Sequence, residues 1–267
     1  MADLHELLSR LWEDYTALNP HALRVHKLLE SRGESVVNDH IALRTFDDPR
    51  VGVEVLARAF LRFGYEPRGE YEFVKKKLRA MHYEHPDPAQ PLVFISELKL
   101  AEMPEFVHDA VQRMIDQMPP GATDRWDFPV MGRPWSLDFA TCQHLADASE
   151  YAGWLSAMGF RANHFTVLVN ALKTFDSLEQ LNDFLEQNGF QLNAGGGKIK
   201  GSPRAHLEQS STLAEKVEIE FTDGGHVIPG CYYEFARRYP LPDGELFRGF
   251  VTQSADRIFE STDRRGD

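Results

Sequence analysis

Two histidines open β-like runs in this chain, His40 in VVNDHIALRTF and His164 in NHFTVLVN, and a lone acid, Glu234, sits inside the aromatic run CYYEF. A neutral imidazole offers one lone pair to a divalent ion. A carboxylate in an apolar strand is costly to bury unless a cation or hydrogen bonds compensate it. Two imidazoles and one carboxylate, with the other positions open, suit non-haem Fe(II). A 2-oxo acid can then chelate through its carboxylate and keto oxygen while dioxygen takes the remaining position. Each residue taken singly has a plainer explanation: a histidine opening a strand is commonly a satisfied core residue, and Glu234 could pair with Arg237 or Arg238.

Matching positions favour the chemical reading of the histidines. Asp39-His40 answers Asn163-His164; Gly64 follows His40 by 24 residues, and Gly189 follows His164 by 25. Both glycines stand in an aromatic frame, Phe63-Gly64-Tyr65 and Asn188-Gly189-Phe190, and Thr45-Phe46-Asp47 recurs as Thr174-Phe175-Asp176. Recurrence at a fixed offset is evidence for a duplicated module. Side chains alternate along a strand, so His40, Ala42 and Arg44 share one face, as do His164, Thr166 and Leu168. The aliphatic residues between them pack beneath the helices. If the modules pair about a pseudo-twofold axis, the two imidazoles converge on the concave side of a curved sheet.

Arg44, four residues along the same face as His40, can reach back to clamp a substrate carboxylate, since guanidinium–carboxylate pairing both attracts and orients. An ion pair with Asp47 or Asp48 is its structural alternative. Glu218 and Glu220 are rival acidic ligands, provided Val217, Ile219 and Phe221 pack outward. Glu97, near the end of LVFISEL, is the expected repeat counterpart of Glu234. A fourth protein ligand there would favour a glyoxalase-like isomerase or lyase using Zn or Ni without dioxygen.

The elements that must position these groups are legible as periodicity. Residues 3–32 are helical with a break at Pro20, 51–63 form a helix, and Tyr65–Phe73, Leu78–Glu84 and Leu92–Leu98 are strands. Residues 102–118 and 143–158 are helical. The second unit runs through NHFTVLVN, a helix over Ser177–Gln187, and strands at Phe190–Asn193, Ala214–Phe221 and Val227–Phe235. The expected fold is α+β: two βαβββ modules forming a curved sheet around a metal, with added N-terminal and inter-module helices. The expected divisions are N-terminal helices 1–35, first module 36–100, helical insertion 101–160, second module 161–240 and C-terminal extension 241–267.

Composition narrows the partners. Lys and Arg number 29 against 41 Asp and Glu, a net charge of −12, which disfavours nucleic acid because phosphate binding needs a basic face. No apolar stretch is long enough for a membrane span, the N-terminus lacks a signal-peptide pattern, and two distant cysteines, Cys142 and Cys231, argue for a reducing cytoplasm. Lys75-Lys76-Lys77 reads as an exposed turn. Gly195-Gly196-Gly197-Lys198 lacks the frame of a phosphate loop.

DHIALRTF, NHFTVLVN and CYYEFARR together resemble the vicinal-oxygen-chelate superfamily, and HIALRT and YYEFARR resemble the metal-binding strands of 4-hydroxyphenylpyruvate dioxygenase and hydroxymandelate synthase. The wider chain is similar to the bacterial 2-oxoadipate dioxygenase/decarboxylase family through VVNDHIALRTF, QSSTLAEKVEIEFTDG, IPGCYYEFARRYP and GFVTQSADRIFEST. That resemblance implies Fe(II) held by His40, His164 and Glu234, with Zn, Ni or Mn as alternative occupants, and Arg44 on a substrate carboxylate. It further implies dioxygen-dependent conversion of 2-oxoadipate to 2-hydroxyglutarate and carbon dioxide, in lysine breakdown.

Overall fold

Asp3 starts the first helix by accepting a hydrogen bond from the Glu6 amide at 2.8 Å, and Pro20, at the first position of the second, ends any continuity between them. The structure, a computed structural model, describes residues 3–252; residues 253–267, including most of the GFVTQSADRIFEST motif and of the expected 241–267 extension, lie outside the described residues. Helices α1 (Leu4–Leu18) and α2 (Pro20–Ser31) precede the first unit of the sheet. That unit comprises β1 (Asn38–Phe46), α3 (Val53–Leu61), β2 (Glu66–Phe73), β3 (Leu78–Glu84) and β4 (Leu92–Leu98). A helical segment follows: α4 (Glu105–Ile115), α5 (Phe139–Ala148) and α6 (Glu150–Met158). The run expected as one helix over 143–158 is thus two, because Ser149 is extended (φ −158°, ψ 116°) and its hydroxyl caps α6 at Ala152.

The second unit contains β5 (Ala162–Leu168), α7 (Leu178–Gln187), β6 (Lys200–Ser202), β7 (Leu207–Ser211), β8 (Lys216–Phe221), β9 (Gly224–Pro229) and β10 (Tyr232–Arg238). One eight-stranded sheet has the order β2-β3-β4-β1-β5-β10-β7-β6, so each half repeats the other outward from the antiparallel β1–β5 join. In each half a parallel pair, β1 with β4 and β5 with β10, flanks that join. The sheet curls into a half-barrel within an α+β fold.

The second unit departs from its expected strands. Ala214–Phe221 is not the penultimate strand of the sheet; β7 is. β8 pairs only with β9, in a separate two-stranded hairpin inserted between β7 and β10. Phe190–Asn193 makes a single bridge, Leu192 to Thr212, and the Val227–Phe235 run is split at Gly230-Cys231. The hairpin reads as sheet because Val217, Ile219 and Phe221 alternate with acids, and that alternation serves to pack the hairpin against the core instead.

Phe165 of β5 meets Trp12 and Tyr15 of α1 with ring centroids 5.1 and 5.0 Å away, so helices cover the face opposite His164. Leu7, Leu11 and Tyr15 recur at four-residue spacing and are buried. Gly64 and Gly189, each closing its module's helix, adopt φ of +95° and +83°. A Cβ in this conformation costs about 1–2 kcal/mol. Gly64→Ala and Gly189→Ala should each lower unfolding free energy by about that much in urea denaturation. Equal stability in both variants and the parent chain would contradict the shared helix-stop role.

Candidate metal centre

The sheet register assembles the site in rows. His40 of β1 lies opposite Thr166 of β5, which lies opposite Glu234 of β10; in the adjacent row stand Ala42, His164 and Tyr232. Directly opposed residues share a face of the sheet, so both imidazoles and the carboxylate enter the concave side. His40 Nε2 is 3.5 Å from Glu234 Oε1, and His164 Nε2 is 3.5 Å from Glu234 Oε2. The three ligand atoms all lie within 4.8 Å of one another, the one such group of His, Cys, Asp or Glu among the described residues.

Each ring is aimed by the residue before it. Asp39 Oδ1 is 2.7 Å from His40 Nδ1, and Asn163 Oδ1 is 3.0 Å from His164 Nδ1. Nδ1–H donation to these oxygens leaves Nε2 as the lone-pair atom facing inward. Thr166 Oγ1, 3.1 Å from His40 Nε2, can donate to it. Asp39 also receives two hydrogen bonds from Arg238, at 2.6 and 2.8 Å. Burial alone would raise its carboxyl, but Arg238 and His40 outweigh that and hold it well below the usual range. Burial above all, reinforced by the neighbouring His40 ring and the Arg44 guanidinium, pushes His164 well below the ordinary histidine value and favours the neutral, ligating form.

Glu234 is only 1% exposed. Gln209 Nε2 donates to its Oε1 at 2.6 Å, whereas Oε2 receives no hydrogen bond from the described residues. Burial raises its carboxyl, an effect that His40 and Gln209 only partly oppose. A divalent cation between these three groups would satisfy the open oxygen, keep the carboxylate ionised and use both inward lone pairs, so the donor set fits such an ion.

The remaining candidates separate. Arg44 is fully buried and lines the same cavity as the three ligand atoms. Its partner is neither Asp47 nor Asp48 but Glu150 at 3.1 Å, and its guanidinium lies over the rings of Tyr151 and Trp154 at 4.8 and 5.0 Å. Glu97 does not join the site. In the β1–β4 register Ala42 opposes Phe94, as Thr166 opposes Glu234, so Phe94 is the counterpart of Glu234. Three residues further on, Glu97 points to the other face, where it accepts from the Val53 amide at the start of α3 and pairs with Arg79, both at 2.8 Å. Glu218 and Glu220 are exposed on β8, away from the cup, because the apolar side of that hairpin faces the core.

Several residues of the site were not singled out from sequence: Asp39 and Asn163 as orienting partners, Arg238, Glu150, Tyr232 and Phe250. The repeated Asx-His pair was the available signal for the first two. Phe250 roofs the cavity, its ring 4.9 Å from His40 and 4.7 Å from Phe94, and its amide donates to Tyr71 at 3.2 Å. Arg238 donates to the carbonyls of Phe247 and Gly249, and Arg248 bonds Glu84 at 2.7 Å, tying this roof down at both sides.

The chain is similar to known proteins over most of its length. The sequence model of the 2-oxoadipate dioxygenase/decarboxylase family matches residues 1–119 and 133–247. The chain is 35% identical to the chloroplastic 2-oxoadipate dioxygenase/decarboxylase of Arabidopsis thaliana over 96% of this chain and 76% of that one. It superimposes on the Oryza sativa hydroxyglutarate synthase in complex with 2-oxoadipate with a TM-score of 0.89 and 34% identity, covering 97% of this chain and 91% of that chain. A Shewanella frigidimarina structure, provisionally described as a hydrolase, gives a TM-score of 0.90 and 50% identity over 94% of this chain and 99% of that chain. The half-barrel that brings His40, His164 and Glu234 together is therefore carried by a chain that belongs to the 2-oxoadipate dioxygenase/decarboxylase family.

Proposed function

We propose that His40, His164 and Glu234 hold Fe(II) and that the chain converts 2-oxoadipate and dioxygen to 2-hydroxyglutarate and carbon dioxide. The observation that carries this reading is a buried carboxylate with one unsatisfied oxygen, closed in by two imidazole nitrogens that are oriented from behind. The family membership and the 2-oxoadipate complex of the rice relative support the substrate. The reaction balances. The carboxyl carbon next to the keto group leaves as carbon dioxide, and both atoms of dioxygen stay in the shortened diacid. One completes the carboxylate formed at the former keto carbon, and the other becomes the new hydroxyl.

When bound, Fe(II) supplies a redox-active centre with positions open to a 2-oxo acid and dioxygen. The chain's own residues supply ligand geometry, charge and a dry enclosure. Asp39 and Asn163 fix the imidazole tautomers. Arg44, one row beyond His164 on the cavity wall, is the contact for a substrate carboxylate. Phe94 and Phe250 keep the enclosure apolar, which strengthens every polar contact made inside it. The isomerase or lyase alternative depended on Glu97 as a fourth ligand, and Glu97 serves α3 and Arg79 instead. No described helix is long and apolar enough to cross a membrane, and both cysteines are free and buried, in keeping with a reducing compartment such as the cytoplasm.

Chelation should abolish oxygen uptake with 2-oxoadipate, and Fe(II) with ascorbate should restore it where Zn(II) does not. His40→Ala, His164→Ala and Glu234→Ala should each lose bound iron and turnover together; undiminished turnover in all three would overturn the proposal. Asn163→Ala, which removes the hydrogen bond behind His164 without changing charge, should weaken iron affinity about 10–100-fold in a chelator competition. Glu97→Ala should lower stability by about 1–2 kcal/mol through loss of its helix-start contact, while iron content stays at the wild-type level.

A further inference from the structure

Among the residues lining the cavity, Tyr232 carries a hydroxyl that no described residue hydrogen-bonds. Tyr232 stands beside His164 in the row between the Glu234 level and Arg44, and its ring stacks on the His164 imidazole at 4.6 Å and 26°. Its backbone carbonyl accepts the Tyr15 hydroxyl at 2.5 Å, so the residue is pinned from behind. The side chain is fully buried and lines the cavity, yet its hydroxyl has no hydrogen-bond partner among the described residues. An unpartnered hydroxyl is not by itself a site. Tyr233 has one too, but its ring lies among Trp12 and Tyr15 on the helical side. Location distinguishes the two.

Of the other uncharged donors that line the cavity, Asn163 Nδ2 also lacks a partner among the described residues, while the Ser96 hydroxyl is taken up by the Leu43 carbonyl and Tyr151. Gln209 donates to Glu234, and Asn163 is held against the His164 ring through its Oδ1. Arg44 shares its guanidinium with Glu150 at 3.1 Å, so a carboxylate arriving there meets a partly offset cation. A carboxylate has more acceptor positions than one such contact fills. The Tyr232 hydroxyl is a fixed, uncharged donor one row from Arg44 that has no hydrogen-bond partner among the described residues.

We propose that the Tyr232 hydroxyl is a specificity-determining hydrogen-bond donor that acts with Arg44 on the far carboxylate of the substrate, so that the cavity selects 2-oxo dicarboxylates over 2-oxo monocarboxylates. This rests on the assignment of the site as a 2-oxo acid centre. A pocket built to hydrogen-bond a substrate group discriminates strongly against an analogue lacking it, because the buried donor is then left unsatisfied. The same unsatisfied hydroxyl destabilises the ligand-free protein, a burden that function at this position explains.

The test uses the iron-loaded full chain under nitrogen, with calorimetric binding of 2-oxoadipate and of 2-oxohexanoate, which carries a methyl group where 2-oxoadipate has its far carboxylate. Tyr232→Phe should weaken 2-oxoadipate binding about tenfold, leave 2-oxohexanoate within about twofold, and keep iron content and melting temperature at or above wild type. In turnover the loss should fall on KM more than on kcat. Tyr233→Phe, the same deletion outside the cavity, should change neither ligand. Equal weakening of both ligands, or no weakening of either, would overturn the role of Tyr232 while leaving the centre intact. Wild-type protein that binds neither 2-oxo acid in the presence of iron would overturn the underlying assignment, and this inference with it.

Discussion

Glu234 is buried in a strand between Tyr233 and Phe235, with an oxygen that none of the described residues satisfies. An ionised carboxylate in such surroundings is unfavourable by several kcal/mol unless positive charge meets it. Much of the surrounding architecture serves that requirement. The antiparallel join of β1 to β5 and the parallel join of β5 to β10 bring His40 and Glu234 to either side of Thr166, with His164 one row away. What marks this group out is the convergence of that oxygen with two inward imidazole nitrogens, the arrangement a divalent cation would satisfy.

The duplication makes this possible, and its breakdown makes it useful. The histidines and their preceding Asx residues occupy equivalent places in the two halves, but the place of Glu234 is taken by Phe94 in the first. A second carboxylate there would add a fourth protein ligand and repel the first. The phenylalanine instead contributes an apolar wall to the cavity. An internally symmetric sheet thus carries an asymmetric set of candidate ligands.

Much of this was legible in the sequence because it depends on short-range rules. Strand alternation correctly put His40, Ala42 and Arg44 on one face, and the helix-ending Gly64 and Gly189 marked equivalent points in the two halves. Register across strands was not legible. Counting from the end of LVFISEL matched Glu97 to Glu234, whereas pairing partners match Phe94, an odd number of residues away and hence on the opposite face. The β8–β9 hairpin misled for a related reason: alternation shows that a strand has one buried face, not which surface buries it. Arg44 finding Glu150 reflects a contact 106 residues distant, set by the packing of α6, which no local pattern encodes.

Arg238 joins two features that would otherwise be separate. Its guanidinium holds the carboxylate that steadies the His40 ring, and it also grips the main chain of the segment ending at Phe250 above the cavity. One guanidinium thus spans the distance between the Asp39 carboxylate behind the His40 ring and the main chain that roofs the cavity. Replacing that one cation would therefore remove the support of the first imidazole and the anchorage of the roof in a single substitution, so the two cannot be varied independently at this position.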